Sequence, residues 1–174
     1  MRILVLFTTL LSFFMSGQLI PQKVSFPRTK SSTDPSKRYS VIWKEATDST
    51  EHILLLKNLK TGYTRPLTKF ARHVDFFWAP DGNAFAVTDA GGSNFSTAWV
   101  GFPLDSSRTI SLDMDSPESK ENDHVYFEVT RWRNSATLLF KVRGYGEHDP
   151  KGFEKYFEYT LNGKISEIKH RQNK

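Results

Sequence analysis

The chain has 174 residues, a formal charge of +5 at pH 7 and no cysteine, a length typical of one domain with its own hydrophobic core. The lack of cysteine excludes a disulfide framework and thiol chemistry, so packing alone must stabilise the fold. The modest positive charge comes without a nucleic-acid-recognition motif, so we expect no nucleic-acid partner.

Residues 1–17 predict a cleaved secretory signal. Arg2 is followed by an apolar run over residues 3–15 and then by Ser16 and Gly17, which is the charged, apolar and small-residue order of a signal peptide. The run is shorter than the ~20 residues that a membrane-spanning helix needs. We therefore expect cleavage near Gly17 and a secreted or periplasmic protein without an integral membrane segment. An uncleaved N-terminal anchor is the alternative.

Residues 18–36 are rich in Ser, Thr, Pro and Lys and lack hydrophobic periodicity, which predicts a flexible linker. A β-rich repeat domain is predicted over residues 37–170, and residues 171–174 are predicted to form a basic tail. The cations near both ends favour solvated tails, with contact to anionic headgroups or cell-wall polymers as the alternative.

Within the repeat domain, alternating apolar and polar residues separated by turn residues predict an all-β fold. No segment shows helical periodicity. The predicted strands cover residues 39–43, 52–56, 63–67, 73–78, 84–88, 97–102, 109–112, 125–132, 137–142, 155–161 and 164–168. The acidic stretch at residues 113–123 is predicted to be a loop.

The predicted strands fall into three similar units. Pro35 and Pro80 precede corresponding strands 45 residues apart, and Trp78 and Trp132 lie 54 residues apart. Repeats of about 40–50 residues with about four strands each are typical of propeller blades.

The best-defined motif runs from Phe77 to Val87, with the sequence Phe-Trp-Ala-Pro-Asp-Gly-Asn-Ala-Phe-Ala-Val. It resembles the aromatic-Ser-Pro-Asp-Gly pattern of TolB-type, WD-like β-propeller repeats, with Ala79 in place of the usual Ser. The resemblance covers about a dozen residues closely and implies a propeller scaffold. It implies no activity, because propellers serve as binding modules and as enzymes alike.

Three blades are too few for a closed propeller, which has roughly four to eight. We therefore expect antiparallel blades in an open or incomplete propeller, preferably a monomer. A sandwich-like sheet and a ring completed by a dimer are the alternatives.

Two loops carry candidate ligand-binding residues. The first loop contains Asp89, Gly91, Gly92, Ser93 and Asn94, and its paired glycines allow the backbone to face an anion or to approach a ligand closely. The alternative is a wide turn that joins two strands of a blade. Ser93 lies in no Gly-x-Ser-x-Gly pattern, which argues against a hydrolase nucleophile.

The second loop contains Glu147, His148 and Asp149. Three such residues in sequence suggest a metal or an acid–base pair, but neighbours on an extended chain point to opposite faces. A polar hairpin loop is therefore the preferred interpretation. We assign no catalytic residue, metal or cofactor.

These observations predict an exported binding or interaction module with a protein or cell-envelope polymer as partner. One alternative is a small envelope hydrolase or lyase that uses residues 89–94 and 147–149, if the two loops form one cleft. The other is a subunit of an envelope assembly in which a partner strand covers a sheet edge.

Overall fold

The computed structural model describes residues 22–47, 50–113, 122–147 and 149–168. In these ranges the regular structure is entirely β-strand, which confirms the predicted all-β class. Within the same ranges, no helix is long and apolar enough to cross a bilayer. The strands are β1 Val24–Phe26, β2 Ser31–Thr33, β3 Tyr39–Glu45, β4 His52–Asn58, β5 Thr64–Phe70, β6 Val74–Trp78, β7 Phe85–Asp89, β8 Phe95–Gly101, β9 Thr109–Ser111, β10 His124–Asn134, β11 Thr137–Tyr145, β12 Phe153–Thr160 and β13 Ile165–Glu167.

Blade 1 is a four-stranded antiparallel sheet in the order β2-β3-β4-β5. Its register pairs Val41 with Leu56 and Trp43 with Leu54, which places these four side chains on one face because side chains alternate along a strand. Val41, Leu54 and Leu56 are buried. This face therefore forms the inner surface of blade 1.

Blade 2 consists of β6, β7, β8 and β9, and β1 adds to the free edge of β6. β1 pairs Phe26 with Val74, and both side chains are fully buried. β1 and β2 fall within residues 18–36, so the linker interpretation is wrong over these two strands. Strands of three residues are too short to show an alternating pattern, which is why the sequence did not reveal them.

Blade 3 is the antiparallel series β10-β11-β12-β13, and it joins blade 2 through a short parallel pairing. Val125 of β10 lies opposite Phe95 of β8, and Tyr126 lies opposite Ser96. The other half of β8 pairs with β9. β8 therefore belongs to blade 2 and also connects it to blade 3.

Blade 2 lies between the other two blades and is buried on both faces. The core between blades 1 and 2 contains Phe26, Tyr39, Val41, Leu54, Leu56, Phe70, Val74, Phe76, Trp78, Phe85 and Val87. The core between blades 2 and 3 contains Phe77, Ala79, Ala84, Ala86, Ala98, Val100, Leu112, Phe127, Val129, Trp132, Leu138, Phe140, Val142, Phe157 and Tyr159. Large side chains of blade 2 thus face blade 1, whereas mostly alanines face the bulky residues of blade 3.

Two buried hydroxyl groups of blade 2 form hydrogen bonds with backbone groups at the edge of β10. The amide of Val129 donates to Thr88 Oγ1 at 2.8 Å, and Ser96 Oγ donates to the carbonyl of Phe127 at 3.0 Å. Both hydroxyls lie in the interior, where an unpaired backbone group would be costly. The two bonds therefore cover a strand edge that the short parallel pairing leaves open.

The turn that joins the first two strands of blade 1 and the corresponding turn of blade 2, 45 residues later, have the same hydrogen bonds. In residues 34–39 and 79–84, the first amide donates to the last carbonyl at 3.0 and 2.9 Å, and the fourth amide donates to the first carbonyl at 2.9 Å in both. The fourth residue has a positive φ in each turn, 57° for Lys37 and 69° for Gly82. This identity of geometry confirms the predicted repeat.

The three blades form an open, incomplete propeller, as predicted. Among the described residues, no further blade covers the outer face of blade 1 or of blade 3. One end of the molecule carries the turns at residues 34–38, 58–65, 79–84, 102–108, 133–136 and 160–164, which we call the turn end. The opposite end carries the loops that contain the predicted site residues, and we call it the loop end.

Candidate functional site

The first predicted loop, residues 89–94, connects β7 to β8 and lies against the start of blade 3. The carbonyl of Asn94 accepts a hydrogen bond from the amide of Val125 at 3.2 Å, and that of Ser93 accepts one from the Tyr126 hydroxyl at 2.6 Å. The Ser93 hydroxyl donates to Asn94 Oδ1 at 2.8 Å. The loop is therefore a docked strand connection, held by blade 3.

The paired glycines of this loop lie beneath an aromatic ring. A Cβ atom on Gly91 would lie 3.1 Å from the ring of Phe95, and one on Gly92 would lie 2.9 Å from it. The glycines were expected to let a ligand approach the backbone closely. In the structure the ring of Phe95, which is 51% exposed, occupies that position. Gly92 and Phe95 line a cleft between blades 2 and 3.

The side chain of Asp89 points away from the rest of this loop, because successive side chains of β7 point to opposite faces of the sheet. It lies opposite Val74 in the ladder, and so it shares the face that blade 2 turns toward blade 1. Burial raises the pKa of its carboxyl, an effect that the charge of His73 partly offsets. Its Oδ1 atom is buried and has no hydrogen-bond partner in the described chain.

We expect Asp89→Asn to stabilise the fold at pH 7 by less than about 1 kcal/mol, because solvent screens the charge of this half-buried carboxyl. Because the folded state holds the pKa of Asp89 above its ordinary value of 3.8, ionisation costs stability as the pH rises from below 3.8 through the raised pKa. The gain from the variant should vanish near pH 3, where both states are protonated. Urea denaturation at pH 3, 5 and 7 measures this difference, and an equal effect at all three values would contradict it.

The second predicted loop connects β11 to β12 and forms a compact turn around Asp149. The carbonyl of Asp149 accepts from the amides of Gly146 and Gly152 at 3.2 and 3.0 Å, and its Oδ1 accepts from Gly152 at 3.1 Å. Glu147 is exposed, and its amide lies 3.5 Å from Asp123 Oδ2. His148 lies outside the described residues. These bonds agree with a polar hairpin loop.

The two loops lie at the same end of the sheet and are connected through two tyrosines. The Tyr126 hydroxyl, bonded to the first loop, lies 3.4 Å from that of Tyr145, which precedes the second loop. The ring of Tyr145 stacks on His124 with centroids 4.5 Å apart. Among the described residues, no group of three or more His, Asp or Glu side chains is placed to hold a metal ion.

Beside these loops, a cleft of about 640 Å³ separates the inner strands of blades 2 and 3. It opens at the loop end, next to Ala90 and Gly92, and extends past Thr88 toward β10. This volume lies within the range of about 300–1,000 Å³ that small-ligand pockets occupy. Its charged lining residues are Lys23, Arg72, Asp75, Glu128, Lys141 and Arg143.

The blade 3 wall of the cleft is a network centred on Glu128. Its carboxylate accepts from Arg143 Nε at 2.8 Å and pairs with Lys141 Nζ at 3.1 Å. Burial acts to lower the pKa of Lys141, but the hydrogen bond and charge of Glu128, with the charge of Glu154, raise it above its ordinary value. Arg143 also lies 4.1 Å above the ring of Tyr126. These contacts orient both cations, and Glu128 and Glu154 favour the charged form of Lys141.

The blade 2 wall carries a second, smaller ion pair. Asp75 Oδ2 lies 3.1 Å from Lys23 Nζ, and Asp75 Oδ1 accepts from the Ser25 hydroxyl at 2.5 Å. Arg72 is exposed at the mouth of the cleft. An adjoining groove of about 410 Å³ shares these residues and adds Arg28.

The cleft therefore carries more positive than negative charge. Among the described lining residues, the four cations Lys23, Arg72, Lys141 and Arg143 outnumber the two carboxylates Asp75 and Glu128 by two. Glu154, which lies outside the lining, pairs with Lys141 at 3.6 Å. A concave surface with one excess sign attracts ligands of the opposite sign. The cleft is suited to an anionic group.

Sequence reasoning missed these charged residues, although a signal was present. Lys141 and Arg143 alternate with buried Phe140 and Val142, which marks one polar face of β11. Cross-strand pairing then places Glu128 directly opposite Lys141. The pattern indicates a polar face but not that this face borders a cleft, because that depends on how blade 2 packs against β10.

No family model and no curated protein matches this sequence. The chain is similar in structure to the β-propeller domain of the trilobed protease from Pyrococcus furiosus, which has an open velcro topology. The TM-score is 0.55 and the identity 11%, over 81% of this chain and 43% of that one.

Two further solved structures resemble the chain more distantly. TolB from Acinetobacter baumannii aligns with a TM-score of 0.44 and 12% identity, over 87% of this chain and 33% of that one. A prolyl endopeptidase aligns with a TM-score of 0.36 and 9% identity, over 87% and 29%. The chain thus spans less than half the length of each structure that it matches here. At such identities the similarity shows the fold, which is of the β-propeller type.

Proposed function

We propose that this chain is an exported binding module whose cleft between blades 2 and 3 takes a carboxylate-bearing polymer. The observation that carries the proposal is the excess of two cations around a cleft of ligand size. The propeller type of fold is compatible with a binding role, since propellers serve as binding modules and as enzymes alike. The apolar segment within residues 1–17 supports export to a secreted or periplasmic location.

The partner in this proposal is an acidic protein segment or an acidic envelope polysaccharide. Lys23 and Arg72 on one wall and Arg143 on the other would contact carboxylates of successive residues. The ring of Phe95 and the ring of Tyr126 supply apolar contact area at the rim. Asp89 lies on the other face of blade 2, which gives no support to an enzyme that uses the two loops together.

The proposal predicts salt-dependent binding of hexaglutamate and trigalacturonate, measured by isothermal titration calorimetry on residues 18–174. Arg72→Glu removes one cation and adds an anion at the mouth of the cleft, so it should weaken binding by about tenfold, or about 1.4 kcal/mol. Arg72 is exposed, so the variant should fold normally.

Lys151→Glu is the matched control, since Lys151 is also exposed at the loop end but does not line the cleft. It should bind both probes like the parent protein. The proposal fails if neither probe binds at 50 mM salt, or if the control weakens binding as much as Arg72→Glu does.

A further inference from the structure

The turn end, opposite the cleft, carries a concentration of positive charge. Its described segments contain only three carboxylates, Asp34, Asp81 and Asp105, and Asp34 is buried. The cations of the same segments are Lys37, Arg38, Lys60, Arg65, Arg108, Arg133 and Lys164, of which Arg133 is ion-paired with Glu158 of β12. The described loops of the other end mix both signs and include Glu51, Asp123, Glu147 and Asp149.

Three large apolar side chains project from the same end. Leu104 is 77% exposed, Tyr63 68% and Leu59 42%. Leu59 and Tyr63 lie on the β4–β5 turn and Leu104 on the β8–β9 loop. Tyr63, Arg65 and Leu104 line one groove, and Leu59 lines a second groove beside it. These side chains lie at the tips of turns and contribute little to the core, so folding does not require large apolar residues at these positions.

Hydrogen bonds join the first two blades at this end. Arg38 is the link, because its carbonyl accepts from the amide of Leu59 at 2.9 Å and its guanidinium donates to Asn83 Oδ1 at 2.8 Å. Arg65 donates to the carbonyl of Phe102 at 3.0 Å. The turns of blades 1 and 2 therefore form one connected surface.

The same surface continues onto blade 3. The guanidinium of Arg108 lies 4.1 Å above the ring of Phe102 and donates to the carbonyl of Leu161 at 3.2 Å. The amide of Leu161 in turn donates to the carbonyl of Ala136 at 3.0 Å. All three blades thus present their turns, and the cations on them, in one direction.

We propose that the turn end docks on an anionic phospholipid bilayer, with Leu104 and Tyr63 inserted below the headgroups. Lysine and arginine near an anionic leaflet are attracted to it individually, and their contributions accumulate across a surface. Single apolar side chains on separate tips, surrounded by long cationic side chains, suit a soft interface better than the packed patch of a protein contact. The cleft would then face away from the membrane.

The test is sedimentation of residues 18–174 with vesicles of phosphatidylcholine alone and of phosphatidylcholine with 30% phosphatidylglycerol, in 0.1 M salt. We expect at least about tenfold tighter binding to the anionic vesicles. Lys60→Glu/Lys164→Glu, on the turns of blades 1 and 3, should weaken that binding by about tenfold or more. Both lysines are exposed, and circular dichroism checks that the variant folds.

A tryptophan at position 104 tests insertion directly. Fluorescence of the Leu104→Trp variant should shift to the blue on anionic vesicles and be quenched by brominated lipid. Phe95→Trp, at the loop end, is the control and should show neither change.

Four outcomes would overturn the proposal. The first is equal binding to both kinds of vesicle, and the second is unchanged binding by Lys60→Glu/Lys164→Glu. The third is quenching at position 95 instead of position 104. If the chain ignores vesicles and binds an acidic protein through this end, the surface is a protein interface and the lipid proposal is wrong.

Discussion

Replacing Trp132 with alanine should lower the free energy of unfolding by about 3–5 kcal/mol. Trp132 is fully buried between blades 2 and 3, and its indole Nε1 donates to the carbonyl of Phe77 at 3.1 Å. The variant therefore creates a large cavity and also leaves the carbonyl of Phe77 without this donor. Urea denaturation followed by circular dichroism measures the loss.

Two further variants serve as a comparison and a control for Trp132→Ala. Trp132→Phe keeps much of the ring volume and loses the N–H, so we expect a smaller cost of about 1–2 kcal/mol. Leu104→Ala, at an exposed position, should change stability by less than about 0.5 kcal/mol. A cost below about 1 kcal/mol for Trp132→Ala would mean that blades 2 and 3 do not pack as described.

Gly82→Ala should destabilise the fold by about 2–4 kcal/mol, through two additive causes. The first is the backbone, because Gly82 has a φ of 69°. The second is contact between blades, since a Cβ atom would lie 2.4 Å from Asp34 Oδ2. Asp34 cannot move away easily, because its Oδ1 accepts from the amide of Tyr39 at 2.6 Å and its Oδ2 accepts from the amide and hydroxyl of Ser36.

Gly62→Ala is the matched control for this prediction. Gly62 has a φ of 75°, but a Cβ atom there would meet no heavy atom within 4 Å. The control therefore carries only the backbone cost, about 1–2 kcal/mol. Thermal and urea denaturation of both variants should show Gly82→Ala costing at least about 1 kcal/mol more. Equal losses would show that the turns of blades 1 and 2 are not in contact.

The repeat shows how far local sequence predicts structure. Pro80, Asp81 and Gly82 specify a turn by their own backbone preferences, and the structure has that turn. The corresponding turn of blade 1 has Lys37 at the position of Gly82, with the same positive φ. The offset between Pro35 and Pro80 identified this match, although composition alone would not place Lys37 in the left-handed region.

Both candidate loops connect neighbouring strands, but the side chains that surround them could not be predicted from the sequence. The Gly91-Gly92 pair indicated a close approach, which the structure assigns to the ring of Phe95. Once the register of β7 is known, the alternation of its side chains shows that Asp89 faces blade 1. Which of the two faces borders a cleft depends on β10, which is distant in sequence.

By itself, the sequence determined the all-β class, most strand positions and the division into three units, because strand alternation and turn preferences are local properties of the chain. The tertiary structure alone decided the pairing of β1 with β6, the parallel contact of β8 with β10 and the placement of positive charge both around the cleft and at the turn end. Those features depend on which strand edges and sheet faces come into contact. Such contacts join residues that are far apart in sequence, so they are determined by the packing of the whole chain and cannot be predicted from a local pattern.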